Sequence, residues 1–217
     1  ALEEDTSGAK RKSMLSSCKG MAQDLDEIND LVGEIMTYIH LEDGGPRIIF
    51  QKTDVKSVLA NFSHQYTHLH PQLTITIPSG LEELMLDVEP VQLRRACQNL
   101  MGNAVKYAES TVQLSYRLDG DFCIISVEDD GPGIPESEYG RVFAPFSRLD
   151  ESRNRSTGGY GLGLSIVRRI AYWHGGRAIA GRSSALGGAE VMIRLPVHQP
   201  TGSLQVPSMV HLADSSA

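Results

Sequence analysis

At 217 residues, 41% hydrophobic and 22% charged, the chain is long enough for one full-sized domain plus an appendage, or two small domains, and can bury a core without disulfides or a structural metal. Its 27 Asp and Glu against 20 Lys and Arg leave a formal net charge of -7, which argues against general binding to nucleic acid or anionic lipid. An anionic ligand must therefore be captured locally, by a few placed cations, backbone N–H groups or a metal. The cysteines Cys18, Cys97 and Cys123 are far apart and form no CxxC pair, so neither a zinc site nor a disulfide framework is expected. Each falls among apolar neighbours and reads as a small core residue. No apolar run approaches the ~20 residues of a membrane span. No signal peptide is visible over Ala1–Lys12, and a reducing, cytoplasmic setting is the expectation.

Residues 1–12 read as a flexible leader. From there Cys18, Met21, Leu25, Ile28, Val32, Ile35 and Ile39 step by alternating threes and fours, the seven-residue repeat of a helix with a narrow apolar seam. Leu31 and Met36 widen that seam, acidic residues occupy the other faces, and Gly44-Gly45-Pro46 ends the helix. Either this is a surface helix packed on its own domain, or its seam pairs with another helix, including that of a second chain.

Short alternations of strand and helix follow over 47–197. Arg47–Gln51 reads as a strand, Asp54–Tyr66 as a helix with Val55, Val58, Leu59 and Phe62 inward, and Leu73–Ile77 and Leu84–Val88 as strands. Pro90 opens a helix at its tolerated first position, running to Tyr107. Thr111–Leu118 and Phe122–Glu128 alternate as strands around Asp119-Gly120, a hairpin signal. Asp129–Gly159 then holds no sustained apolar period for about 30 residues, a length typical of functional loops. A helix over Leu162–His174 and strands over Arg177–Ser183 and Glu190–Leu195, joined at Gly187-Gly188, complete the domain. Residues 198–217 are Pro/Ser-rich and read as a disordered tail. The expected class is α+β, a two-layer sandwich of a mixed sheet with three helices on one face.

Three places carry chemistry. On the helix Pro90–Tyr107, Leu93, Ala96, Cys97, Leu100 and Ala104 make a core face, while Asn99, Asn103 and Lys106 fall within about 60° of one another on the opposite side. That stripe is either a polar outer face or a pair of amide oxygens and a cation suited to Mg²⁺ and the phosphates it carries. In Val127–Pro135, a strand ends in a carboxylate and Gly131 and Gly133 flank a proline. This is either a sharp strand-to-loop turn, or a place where a ligand approaches the backbone and Asp129 accepts a hydrogen bond from an exocyclic amine. Gly158–Leu164 is Gly-rich and opens a helix, which makes an anion site of its backbone N–H groups. Gly176–Ser183 imitates a P-loop, but it alternates like a strand and no helix follows.

In this order and spacing the residues resemble the ATP-binding catalytic domain of bacterial two-component sensor histidine kinases, in the superfamily that includes gyrase, Hsp90 and MutL. Asn99-Leu-Met-Gly-Asn-Ala-Val-Lys-Tyr107 resembles the N box, Asp129-Asp-Gly-Pro-Gly-Ile134 the G1 box, Phe143-Ala-Pro-Phe146 the F box and Gly159-Tyr-Gly-Leu-Gly163 the G2 box. Arg148–Thr157 is similar to the lids of the subfamily containing the RstB-type kinases. The resemblance implies the Bergerat fold over residues 47–197, with ATP and Mg²⁺ as ligands. By the same resemblance Asn103 would ligate Mg²⁺ with Asn99 assisting, and Lys106 and Tyr107 would contact phosphate or sugar. Asp129 would bind the adenine amino group, with Gly131, Gly133 and Ile134 beside the base. Arg148 would reach the γ-phosphate, aided by Arg153 and Arg155. Thr157, Gly159, Tyr160, Gly161, Leu162, Gly163 and Leu164 would border the nucleotide, and Phe143 and Phe146 would anchor the lid.

The ATPase branch of that superfamily carries a Glu, as general base for water, four residues before the metal-binding Asn. This chain has Asn99 there, and a neutral amide cannot take a proton from water, so transfer to another acceptor fits better than hydrolysis. The family phosphorylates a His on the first helix of a dimerising hairpin. Residues 13–43 resemble the second helix, and none of the seven histidines stands in the acceptor context, which puts self-phosphorylation within this chain in doubt. The histidines read as residues of exposed loops or helix ends, with His174 at a helix C-terminus that favours a cation. The partners implied are a phosphoacceptor helix, a cognate response regulator and, in the full-length protein, a second copy. Two other readings remain: a nucleotide-binding regulatory module without catalysis, and a related anti-sigma-type Ser/Thr kinase.

Overall fold

The computed structural model describes residues 14, 18, 20, 21, 25, 28, 29, 31–42, 48–148 and 160–199. Helix α1 covers residues 31–42, and the described positions upstream of it are helical too. The domain then runs β1 (Gln51–Asp54), α2 (Val55–Leu69), β2 (Thr74–Thr76), β3 (Met85–Val88), α3 (Pro90–Tyr107), β4 (Thr111–Asp119), β5 (Phe122–Asp129), α4 (Gly163–Trp173), β6 (Arg177–Arg182) and β7 (Ala189–Pro196). Asp54 caps α2, accepting from the backbone N–H groups of Lys56 and Ser57. Glu89 does the same for α3 at Val91 and Gln92, with Pro90 in the first turn.

β1 and β3 form a separate antiparallel pair, while the main sheet has the order β2-β4-β5-β7-β6. β2 lies parallel to β4 and the other neighbours are antiparallel. The β4–β5 hairpin closes with Asp119 opposite Phe122, and its turn uses Gly120 at φ 60°. Register aligns Leu114, Val127 and Val191, then Tyr116, Ile125 and Ile193, on one sheet face. Those residues join Leu59 and Phe62 of α2, Leu93, Leu100 and Met101 of α3, and Ile166 and Ile170 of α4 in one continuous core. Each fully buried Leu or Ile there is worth roughly 1.5–3 kcal/mol relative to exposure.

The apolar stripe of α1 divides between two surroundings. Leu31, Ile35, Tyr38 and Leu41 pack on the domain core. At the end of the helix the Leu41 carbonyl accepts from Arg169 Nε at 2.8 Å and from Trp173 Nε1 at 3.0 Å, and Arg169 Nη2 meets the Glu42 carboxylate at 3.0 Å. A buried guanidinium is thus satisfied by an otherwise orphaned helix carbonyl and a countercharge. Met21, Leu25, Ile28 and Val32, all from the heptad seam, stay more than half exposed.

The α+β class and the elements hold, with four differences. The first strand begins at Gln51 rather than Arg47: Ile48 is buried and Phe50 packs edge-on to His174, so this apolar run is anchored by its side chains instead of a ladder. The long loop contains two short 3-10 turns, Glu136–Glu138 and Arg141–Phe143, the second of which buries Val142 and Phe143. Cys97 and Cys123 are buried, and desolvation pushes both thiols up to about 12, but Cys18 is exposed. Among the histidines, the exposed His64 stands inside α2 rather than at an end, with the equally exposed His68 in its last turn as expected, and His174 is fully buried. The Pro/Ser-rich tail from 200 and the breaker Gly44-Gly45-Pro46 lie outside the described residues, as does the leader.

His174 joins three segments. The Glu89 N–H donates to its Nε2 at 3.1 Å, so the ring proton sits on Nδ1 and is donated to the Ile170 carbonyl at 2.7 Å. Its own carbonyl accepts from Gln199. Burial, outweighing the helix carbonyl and Glu89, holds the imidazole below its ordinary pKa, opposite to the helix-end cation expected from position alone. Below the ordinary value of about 6.5, the unfolded chain binds a proton that the folded chain refuses, so this site loses stability as pH falls. Urea midpoints from pH 7.5 to 5.5 are expected to drop, and His174→Gln is expected to flatten that dependence. An unchanged slope in the variant contradicts the assignment.

Candidate active-site cleft

The outer side of α3, the end of β5, the first turn of α4 and one side of α1 enclose a cleft of about 1190 Å³. Small-molecule sites commonly occupy about 300–1,000 Å³, so this one has room for a ligand and for part of a second group. α3 contributes Asn99, Asn103 and Lys106, the stripe read from the helical wheel, together with Tyr107. Asp129, Gly133 and Ile134 line the end where β5 stops. Arg148, Tyr160, Gly161, Gly163 and Leu164 line the opposite wall.

Three consecutive residues from the last position of β5 onward do three different things. Asp129 is 3% exposed, and its Oδ1 accepts the N–H groups of Gly131 at 3.0 Å and Ala189 at 3.2 Å. Among the described residues Oδ2 has no hydrogen-bond partner. Desolvation raises the Asp129 pKa, helped by the Asp130 charge and only partly offset by the two N–H groups. Asp130 turns the other way and accepts the backbone N–H groups of Glu109 and Ser110 at 2.9 and 3.0 Å. Although burial opposes its charge, these bonds and the Ser110 hydroxyl hold its carboxyl well below the usual range. It thereby fastens the turn after α3 to the end of β5. At Gly131 an added Cβ would stand 2.2 Å from the Tyr107 carbonyl, so this glycine makes room for the end of α3. Gly131 is not among the residues lining the cleft, whereas Asp129, Pro132 and Gly133 on either side of it are.

Asn99 donates from Nδ2 to the Arg95 carbonyl at 3.0 Å, which turns its Oδ1 toward Gly163. A Cβ on Gly163 would stand 2.9 Å from that oxygen, so the first turn of α4 meets the α3 stripe only because the residue is glycine. Gly161, at φ 76°, lies equally close to the backbone of Phe146 and Ser147. Leu162, expected at the nucleotide, is instead fully buried in the core and anchors this Gly-rich stretch. Phe143 is buried as a lid anchor would be, but Phe146 is 61% exposed with a left-handed backbone at φ 60°. Thr157 and Gly159, with Arg153 and Arg155, lie outside the described residues.

Several lining residues escaped sequence reasoning. Arg95, Gln98 and Gly102 extend the α3 stripe by one turn, and the wheel that found Asn99 contained them. Ser147 contributes a buried Oγ with no hydrogen-bond partner among the described residues. Arg182 and Ala189 enter from the closing strands, and Gly33, Glu34 and Thr37 enter from α1, with Asn29 upstream of it. No local sequence signal marks these two groups, which only tertiary packing brings here. Gly188 was read as a turn residue alone. A Cβ there would stand 2.6 Å from Asp129 Oδ1 and 2.4 Å from its carbonyl oxygen.

A carboxylate whose folded pKa is raised contributes stability only while protonated, and that contribution is lost as pH rises through the folded value. Above that value the charge on Asp129 costs the empty domain stability. Asp129→Asn keeps an acceptor for both N–H groups without the buried charge. Its melting temperature at pH 7.5 is expected to exceed that of the parent chain by a few degrees. A lower melting temperature contradicts the desolvation argument.

The profile of the family described as histidine kinase-, DNA gyrase B- and HSP90-like ATPase matches residues 88–199, which span α3, the end of β5 and the start of α4. Sensor protein RstB of Escherichia coli (strain K12) is 34% identical over 185 residues, covering 84% of this chain and 42% of that protein. The ATP binding domain of PrrB from Mycobacterium tuberculosis superposes with a TM-score of 0.58 at 30% identity, covering 69% of this chain and 98% of that one. Full-length ShkA in complex with AMPPNP gives a TM-score of 0.65 at 26% identity over 82% of this chain and 38% of that one. The chain spans less than half the length of RstB. With the family match running through every wall of the domain that forms the cleft, the chain belongs to the histidine kinase-, DNA gyrase B- and HSP90-like ATPase family and carries the ATP-binding catalytic domain of sensor histidine kinases.

Proposed function

We propose that this domain binds ATP with Mg²⁺ and transfers the γ-phosphoryl group to a histidine on a dimerisation helix outside this chain, for relay to an aspartate of a response regulator. The observation that carries the proposal is the meeting, in one cleft, of a desolvated carboxylate with a free acceptor oxygen and a polar stripe backed by a helix N-terminus. In this reading Asp129 Oδ2 accepts the adenine amino group, which a guanine carbonyl at the same position cannot supply. The N–H groups around Gly161 and Gly163 receive the phosphates at the positive end of α4, and Lys106 and Arg148 add charge. Gly133, Ile134, Tyr107, Tyr160 and Leu164 border the base, sugar and lid.

The residues present suit Mg²⁺. Asn99 has its Nδ2 already committed to Arg95 O, so its oxygen is the atom left to face the cleft, and Asn103 is half-buried one turn along on the same lining stripe. One or two neutral oxygen donors, completed by phosphate and water, match the coordination habit of Mg²⁺. The ion would supply charge neutralisation on the phosphates, which is the main requirement of phosphoryl transfer. The chain's own contribution is positioning. The acceptor imidazole nitrogen forms the new bond to the γ-phosphorus as the bond to the β,γ-bridging oxygen breaks, and ADP departs. No side chain at position 99 can deprotonate water, which favours an imidazole acceptor over hydrolysis.

The exposed seam supports the dimerisation expectation, since Met21, Leu25 and Ile28 upstream of α1 and Val32 within it are exposed at helical spacing. In the same reading the domain works on the cytoplasmic side of a membrane-anchored sensor. No helix among the described residues is long and apolar enough to cross a membrane.

The test is transfer from γ-labelled ATP to a separately produced acceptor helix bearing the histidine. An acid-labile, alkali-stable phosphoprotein is expected, formed only with Mg²⁺, and Asn103→Ala is expected to slow it roughly 100-fold. Release of inorganic phosphate at the same rate without acceptor contradicts the proposal in favour of an ATPase. Tight ATP binding with no transfer contradicts it in favour of a regulatory module.

A further inference from the structure

Helix α2 turns its core face, Val55, Leu59 and Phe62, inward, so the side carrying His64 and His68 points to solvent. Histidine is a mediocre helix former, and a solvent-facing helix position makes no demand for it. These two are four residues apart, one turn along the same face. Their Nε2 atoms approach to 3.2 Å, with ring centroids 4.5 Å apart and planes inclined at 75°. The rings are therefore not stacked. They converge through their outermost nitrogens.

The separation matches the bite of a single metal ion. Two imidazole nitrogens bound at about 2.0–2.1 Å stand ~3.3 Å apart across a tetrahedral angle and ~2.9 Å apart across a right angle. A hydrogen bond between the rings also fits this distance, but it uses one nitrogen as donor and the other as acceptor. A chelate instead requires both protons on Nδ1, leaving two Nε2 lone pairs directed at one point. Both rings are exposed, so that point is open to an incoming ion and to water. His70, two residues on, does not join the pair, because its ring stacks on Tyr66 with centroids 5.8 Å apart.

We propose that His64 and His68 form a bidentate site for a divalent transition cation of the zinc or copper class, separate from the ATP cleft. Neutral imidazole nitrogen suits Zn²⁺, Cu²⁺ and Ni²⁺, whereas Mg²⁺ takes oxygen donors, so the ion serving ATP does not compete here. Two protein ligands leave the remaining coordination positions to water, which makes this an open site rather than a structural one.

The test is calorimetric titration of the full chain with ZnCl2 at pH 7.5 in excess MgCl2, using Cys18→Ser as the background to remove the exposed thiol. The buried thiols Cys97 and Cys123 do not compete. One equivalent is expected to bind. Because loss of even an outer partner of a metal ligand costs about 10–100-fold in affinity, His64→Gln and His68→Gln are each expected to weaken binding by about tenfold or more, and His70→Gln to leave it unchanged. Cu²⁺ bound to the same protein is expected to show hyperfine splitting from two imidazole nitrogens, reduced in either variant. All three positions are outside the core, so unchanged circular dichroism separates ligand loss from misfolding. Absence of Zn²⁺ binding, or binding that persists in both His64→Gln and His68→Gln, overturns the proposal and leaves the contact a hydrogen bond between neutral rings.

Discussion

The site depends on holding one carboxyl group, that of Asp129, almost without water at the end of a central strand. Desolvation of such a group costs several kcal/mol unless partners compensate, and here only one of its oxygens is compensated. The two N–H groups that reach Oδ1 come from Gly131, immediately downstream, and Ala189, at the start of β7. That requirement propagates outward. β7 must begin beside β5, the turn before it must bring Gly188 against the Asp129 backbone, and no side chain can intervene at that contact. The result is a fixed carboxyl group whose second oxygen has no hydrogen-bond partner among the described residues. In the proposed function, a ligand would find that acceptor already oriented, as pre-organised sites require.

The second constraint couples this acceptor to the phosphate end. Asp130 ties the turn after α3 to the end of β5, and Gly131 lets the Tyr107 carbonyl approach within van der Waals range. The polar stripe of α3 therefore keeps its height relative to Asp129. α3 can carry Asn99, Asn103 and Lys106 outward because Leu93, Cys97, Leu100 and Ala104 fix its other side in the core. α4 closes the arrangement from the far wall, and Arg169 and Trp173 at its other end grip the last turn of α1. One helix thus touches the cleft at its start and α1 at its end, while α1 itself lines the cleft through Gly33 and Thr37. A change in the packing of α1 has a short physical path to the ligand.

Much of this was legible before any coordinates. The bounds of α3 follow from Pro90 and the apolar period, and the hairpin from Asp119-Gly120, because each is a local rule acting without competition. The G2-like run was placed correctly at the start of a helix, although Leu162 proved to be a core anchor and not part of the lining. What the sequence does not show depends on distant neighbours. Nothing local reveals that the end of α3 packs against Gly131. His174 was read as a helix-end cation because nothing local reveals that Glu89 and Phe50 bury it. The heptad seam was read as one surface, yet Ile35 turns toward the domain while Ile28 and Val32 stay exposed, a division set by where the catalytic domain docks.

The most direct measurement is equilibrium binding of ATP to this chain with and without Mg²⁺, alongside GTP and the Asp129→Asn variant. If Asp129 is the pre-oriented adenine acceptor, ATP binds more tightly with Mg²⁺ and at least about tenfold more tightly than GTP, and the variant loses most of that affinity although its fold is intact. Equal affinity for ATP and GTP, or an Asp129→Asn variant that binds ATP as the parent does, would contradict the account.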